Sequence, residues 1–312
     1  MLIDIGVRDA SPAAVVETAR RAEADGFDGI QVAELAHDPL MACALAGAAT
    51  ERIHTATSIA VAFARSPMTV AYAANDAQLA ARGRFALGLG SQVRPHIEKR
   101  FSMPWTAPAP RMREFIAALR AIWESWCTGE RLNVRGEHYT HTLMTPMFSP
   151  GAIPYGPPPV WLAAVGPAMT RLAGEAADGF IAHAFTTPEY LREVSLPALA
   201  EGRERGGRGE TDVIVTPFVV EPGDPASEAE VRSQIAFYGS TPSYRPVLEL
   251  HGWEGVADAL HAASRRGEWD TMGGLVTDDM LGAFAVSAGG AELRGALEAR
   301  FGAIATRVSV AV

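Results

Sequence analysis

Short apolar runs alternate with amphipathic helical patterns along this chain, starting at its first residues. "LIDIGV" (2–7) reads as a buried strand, and Ser11-Pro12 opens the helix "AAVVETARRAEADG", which Gly26 closes. "GIQVAE" (29–34) is the next strand and "DPLMACALAGAAT" the next helix. "IHTATSIA" (53–60), a helix from Ser66 to about Ala81, and "RFALGLG" (84–90) continue the series. After a break come "PVWLAAVG" (159–166), the helix "AMTRLAGEA", "DGFIAHAF" (178–185) and "TDVIVTPFVVE" (211–221). A helical stretch from Ala226 to about Arg266, the helix "AELRGALEARFG" and the closing strand "TRVSVAV" finish the chain. Eight such units predict an α/β fold, a closed TIM-type (β/α)8 barrel with insertions. The competing doubly wound sheet would carry G-x-G-x-x-G after its first strand, where this chain has "VRDASP".

The pattern predicts a single domain over 1–312, interrupted twice. One insertion lies around 91–110, in the polar stretch "SQVRPHIEKRFSMPWTAPA". The other lies around 129–157, where "RLNV" and "HYTHTL" are short strand-like pieces. A net charge of -9 argues against nucleic acid as a partner, since neutralising phosphates needs a basic surface. Two cysteines are too few for a disulfide framework. With no signal-peptide pattern and no apolar run fit to span a bilayer, the expectation is a cytoplasmic chain without membrane contact.

A barrel of this kind places its chemistry at the C-terminal ends of the strands. Glu34 ends the second strand, where a buried carboxylate must be paired or hydrogen-bonded, as by a salt bridge with Arg8. His96, beyond strand four, and His183, ending strand six, are either structural histidines or acid/base groups. "AAVGPAM" leaves the N–H groups of Gly166 and Ala168 free for an anion at a helix entrance, or makes an ordinary strand–helix turn. No group of histidines, cysteines or carboxylates has metal-ligand spacing, so no metal is expected.

The ordered segments "GFDGIQVAE", "ATERIHTATSIAVAFARSPMTVA", "GRFALGLGSQVRPHIEKRF", "RMREFIAALRAIW" and "VWLAAVGPAMTRLAGEAADGF" resemble the luciferase-like monooxygenase superfamily. The resemblance is narrower still to its branch that uses the deazaflavin coenzyme F420. It runs from about Ile3 to Ala184, and implies a barrel with insertions, usually a homodimer. It further implies hydride transfer between F420 and a small organic substrate. The alternatives are an FMN-dependent monooxygenase and a non-catalytic cofactor-binding barrel subunit.

The resemblance assigns a bulge with a non-prolyl cis peptide to Ser58-Ile59, backing the central ring of the cofactor together with Ala60. It places Glu34, Gly90, Ser91 and His96 beside that ring. Ala163, Ala164, Val165, Gly166 and Pro167 line the cofactor and its phosphate-bearing tail. Catalysis falls to His96, His183 and Glu34. The sugar-phosphate dehydrogenases of the superfamily have histidine, glutamate and lysine where this chain has Leu35, Val93 and Thr186. Oxidation of a sugar phosphate is therefore not implied.

Overall fold

Every strand of the barrel is paired on both sides. The computed structural model describes residues 1–311, so Val312, the end of the predicted last strand, lies outside them. The barrel strands are β1 (Leu2–Val7), β2 (Gly29–Val32), β3 (His54–Thr57) and β4 (Phe85–Gly90), then β5 (Val160–Ala164), β6 (Gly179–Ala182), β7 (Asp212–Val215) and β8 (Arg307–Ala311). They pair in parallel in sequence order, and β8 returns to β1 with Leu2 opposite Arg307. The predicted (β/α)8 barrel is the observed one.

Along each strand the side chains alternate between two cores. Residues such as Ile3, Ile5, Leu87 and Leu89 pack outward under the helices. Ala56, Ala86, Trp161, Ile181 and Ile214 fill the lumen. Near the N-terminal ends of the strands the lumen is polar. Arg307 bonds the buried Asp4 carboxylate, which also accepts from Gln31 Nε2 at 2.9 Å. Burial raises the Asp4 carboxyl against the pull of Arg307.

The helices start where proline and a capping side chain predict. Ser66 and Thr69 form a capping box ahead of the helix Pro67–Ala80, and Asp38 caps the helix Pro39–Ala48. Three expected elements differ. The strand over 53–60 stops at Thr57, turns through Ser58-Ile59 and resumes as Ala60–Val61 against Leu89 and Gly90. The strand over 211–221 is cut at Pro217, which has no N–H to continue the ladder. Its second half, Phe218–Val220, leaves the barrel to pair in parallel with Ala285–Ser287. The helical region from Ala226 to Arg266 is three helices, Pro225–Gly239, Arg245–Leu250 and Glu254–Arg266, broken around Pro242 and Gly252.

The segment between β7 and β8 builds a lobe of its own. Val231, Ile235, Leu248, Leu260, Met280 and Phe284 form a second apolar core beside the barrel's, which reaches β6 through Phe185. The insertion around 91–110 has one short helical turn, His96–Arg100, and the one around 129–157 has the hairpin Val134–Arg135 with Thr140–His141. Among the described residues no helix is long and apolar enough to cross a membrane.

Candidate active site

The strand interiors are buried, and exposure appears at their ends, including the C-terminal rim. Gly6, Ala33, Ser58, Ile59, Ser91, Ala163 and His183 are all partly exposed there. Most are small. Gly6, Ala33 and Ala163 are small, and Ile59 and His183 are the bulky side chains among these rim residues. Gly90 lets Ile59 pack closely against it: a Cβ there would lie 2.8 Å from Cδ1 and Cγ1 of Ile59.

The turn that presents Ile59 is held from both sides. Its peptide bond to Ser58 is cis. Ser58 N–H donates to Val32 O at 2.7 Å, and Ile59 O accepts from Glu34 N–H at 3.2 Å. Beyond it, Val61 N–H donates to Glu34 Oε2 at 2.7 Å. Glu34 is buried, and its partner is Arg65 at 2.6 Å, not the exposed Arg8. Arg65 also bonds Asp38 Oδ2 at 2.7 Å. Asp38 would be raised by burial, but the Met41 N–H and Arg65 hold it below the usual carboxylate range. Glu34 is thus committed to fixing the chain around Ile59.

His183 and His96 do not line the same small cavity. His183 faces a small cavity between β5, β6 and the helical lobe, lined also by Gly166, Thr170, Thr186 and Tyr244. Its Nδ1 accepts from Phe185 N–H at 3.0 Å and its Nε2 lies 3.0 Å from Tyr244 Oη. The ring lies nearly parallel to Tyr244 and meets Tyr238 edge-on at 4.8 Å. Burial pushes its pKa down to about 4. His96 is exposed at the start of its helical turn and does not line this cavity.

Ala164, Val165 and Gly166 line the cavity from β5, with Pro167 opening the helix Pro167–Ala176. Gly166 has φ +74, a conformation that suits glycine, and its carbonyl accepts from Thr170 Oγ1 at 2.9 Å. Tyr244 was not signalled by any motif. It sits on the lobe, 61 residues from His183, and only the fold joins them. Glu114, Glu137 and His138 come close together elsewhere, but Glu114 there accepts backbone N–H groups of the hairpin turn.

The luciferase-like monooxygenase family model matches residues 3–307. An uncharacterised protein of Mycobacterium tuberculosis is 52% identical over 292 residues, which is 92% of this chain and 86% of that protein. The F420-dependent glucose-6-phosphate dehydrogenase of Beutenbergia cavernae is 31% identical over 275 residues, 83% of this chain and 78% of its own. Among solved structures, the coenzyme F420 dependent tetrahydromethanopterin reductase of Methanopyrus kandleri superposes with a TM-score of 0.80 at 21% identity. That match covers 99% of this chain and 92% of the reductase. The barrel, its mouth and these matches together place the chain in the luciferase-like monooxygenase family.

Proposed function

We propose that this protein is an F420-dependent oxidoreductase that moves a hydride between the deazaflavin and a small organic substrate. The observation that carries the reading is the floor of the barrel mouth. Gly6, Ala33 and Ala163 are small, partly exposed residues at the C-terminal ends of their strands, and Ile59, partly exposed beside them, is the side chain a flat ring would rest on. Gly90 packs directly against Ile59: a Cβ there would lie 2.8 Å from its side chain. Relatives named as F420-dependent support the choice of cofactor.

Bound there, the deazaflavin supplies a carbon that gives or takes a hydride. The chain's own residues do the rest. Ser58, Ile59 and Ala60 back the ring, with Gly90 and Ser91 beside it. Ala163 to Pro167 hold the tail, where the N–H of Ala168 at the helix entrance favours an anion. Glu34 and Arg65 keep the backing turn in place. The substrate takes the side of the ring away from Ile59. Leu35, Val93 and Val165 stand exposed on the loops that follow β2, β4 and β5.

The experiment is a pair of titrations of cofactor-free protein, one with F420 and one with FMN, followed by cofactor fluorescence. Micromolar binding of F420 with no comparable binding of FMN is the expected result. The reverse order would turn the reading to an FMN-dependent monooxygenase.

A further inference from the structure

Arg111, in the first turn of the helix Pro108–Thr128, is a buried cation without an acid beside it. It is 5% exposed, and among the described residues no carboxylate pairs with it. Its N–H groups go to the two insertions instead. Nε donates to Tyr139 Oη at 2.9 Å, in the 129–157 insertion, and Nη1 donates to Pro104 O at 2.7 Å, in the 91–110 insertion. The guanidinium carbon lies 4.3 Å from the centre of the Phe63 ring. Two oxygens and an aromatic face thus offset the cost of burying the charge.

Each of the three partners is held by something further. Glu114, on the same helix, fastens the hairpin turn by accepting the N–H groups of Glu137 at 3.0 Å and His138 at 2.8 Å. Pro104 sits in a stretch bounded by two non-glycine residues of left-handed backbone, Ser102 at φ 55 and Ala107 at φ 30. Such a conformation persists where its surroundings enforce it. Arg111 gives that stretch two bonds, the one to Pro104 O and another from its own backbone N–H to Ala107 O at 2.9 Å. Phe63 meets Trp105 of the same stretch edge-on at 5.8 Å. It also ends the fully buried run 60–63, which begins next to Ile59. In close packing a shift of Phe63 is passed along such a run and not absorbed.

We propose that Arg111 is a positioning residue for the turn that carries Ile59, and that both insertions act on the turn through it. The hairpin orients Arg111 by way of Tyr139, the stretch 102–107 is pinned by it, and Phe63 rests against its face. A lysine would keep the charge near Phe63 without the planar fork that reaches Tyr139 and Pro104 together. The consequence for cofactor binding rests on the reading of the barrel mouth as the F420 site.

The test is hydrogen exchange on the full chain without cofactor, read by mass spectrometry over 58–66, 101–107 and the strands β1 and β8. Arg111→Met and Arg111→Lys should each speed exchange over 58–66 and 101–107 about tenfold and leave β1 and β8 unchanged. Tyr139→Phe, which removes one hydroxyl, should speed the same two segments about threefold. Unchanged exchange over 58–66 in these variants would overturn the proposal. So would equal acceleration in β1 and β8, since Arg111 would then stabilise the whole barrel and position nothing. Should the Arg111 variants fail to fold, Tyr139→Phe decides by the same two outcomes. F420 affinity should fall about tenfold in Arg111→Lys, and an unchanged affinity would overturn the proposal. Failure of the unmodified protein to bind F420 would end the cofactor reading and leave the exchange result to decide this one.

Discussion

Glu34 and Arg65 face each other across the gap between the loops that follow β2 and β3, with Oε2 2.6 Å from Nη1. The same carboxylate oxygen takes the N–H of Val61, and the same guanidinium reaches Asp38 at the head of a helix. One ion pair thus joins two strand ends and the turn that carries Ile59.

Removing the cation should be costly. Arg65→Ala leaves the buried Glu34 carboxylate with a backbone N–H alone, and is expected to destabilise the fold by about 3 kcal/mol. Urea unfolding measures it. A loss below about 1 kcal/mol would place the pair among ordinary surface bridges.

Acid should act through His183. Its pKa is lowered to about 4 by burial, against about 6.5 for an unfolded histidine. Between those values the unfolded chain binds the proton first. The stability held by the neutral ring is therefore whole above about pH 6.5 and lost as the pH falls toward 4. The full effect is about 3 kcal/mol on the pKa difference. Melting between pH 7 and 4.5 should show a smaller drop for His183→Asn, which cannot take up the proton; an unchanged drop would assign the acid sensitivity elsewhere.

Two glycines of β4 should respond differently to one added methyl. At Gly88 a Cβ would meet the Thr57 carbonyl oxygen at 1.9 Å, a backbone atom that cannot step aside. Gly88→Ala should cost about 3 kcal/mol or prevent folding. At Gly90 the obstacle is the end of the Ile59 side chain. Gly90→Ala should fold, and its F420 affinity should fall about tenfold, since Ile59 must move toward the ring. Equal melting temperatures for the two variants would contradict this difference.

The pairing of chains is a separate proposal. On the helix Pro39–Ala48, Met41 and Leu45 are 62% and 37% exposed, and Leu79 of the neighbouring helix Pro67–Ala80 is 39% exposed. This apolar face is the expected contact of a homodimer. Light scattering should give twice the chain mass for the protein and a single chain for Met41→Glu with Leu45→Glu. A monomeric unmodified protein at micromolar concentration would end the proposal.

The barrel was legible because its strands are buried on both faces and its helices open on proline and a capping residue. Both leave local marks, as at Ser66-Pro67 and Asp38-Pro39. Pro217 also marks a break, yet the apolar residues after it read as more of the same strand, because a strand's partner is not written in its own residues. The position of Ile59 came through resemblance to a family, and no rule of spacing pointed to it. The Glu34–Arg65 pair was hidden for a different reason: 31 residues separate the partners, and Arg8 stood at an equally suitable strand end. Tyr244 was out of reach altogether, since its place depends on how the lobe packs on β6.

The lobe between β7 and β8 has an apolar core of its own, apart from the barrel's. The floor under Ile59 belongs to the barrel, whereas Tyr244 belongs to a lobe with its own interior of Ile235, Leu248 and Leu260. Such a unit can open without global unfolding. In hydrogen exchange its amides would then form a distinct, faster class. The protein would have a state that keeps the barrel and the turn under Ile59 while the contact of Tyr244 with His183 is transiently lost.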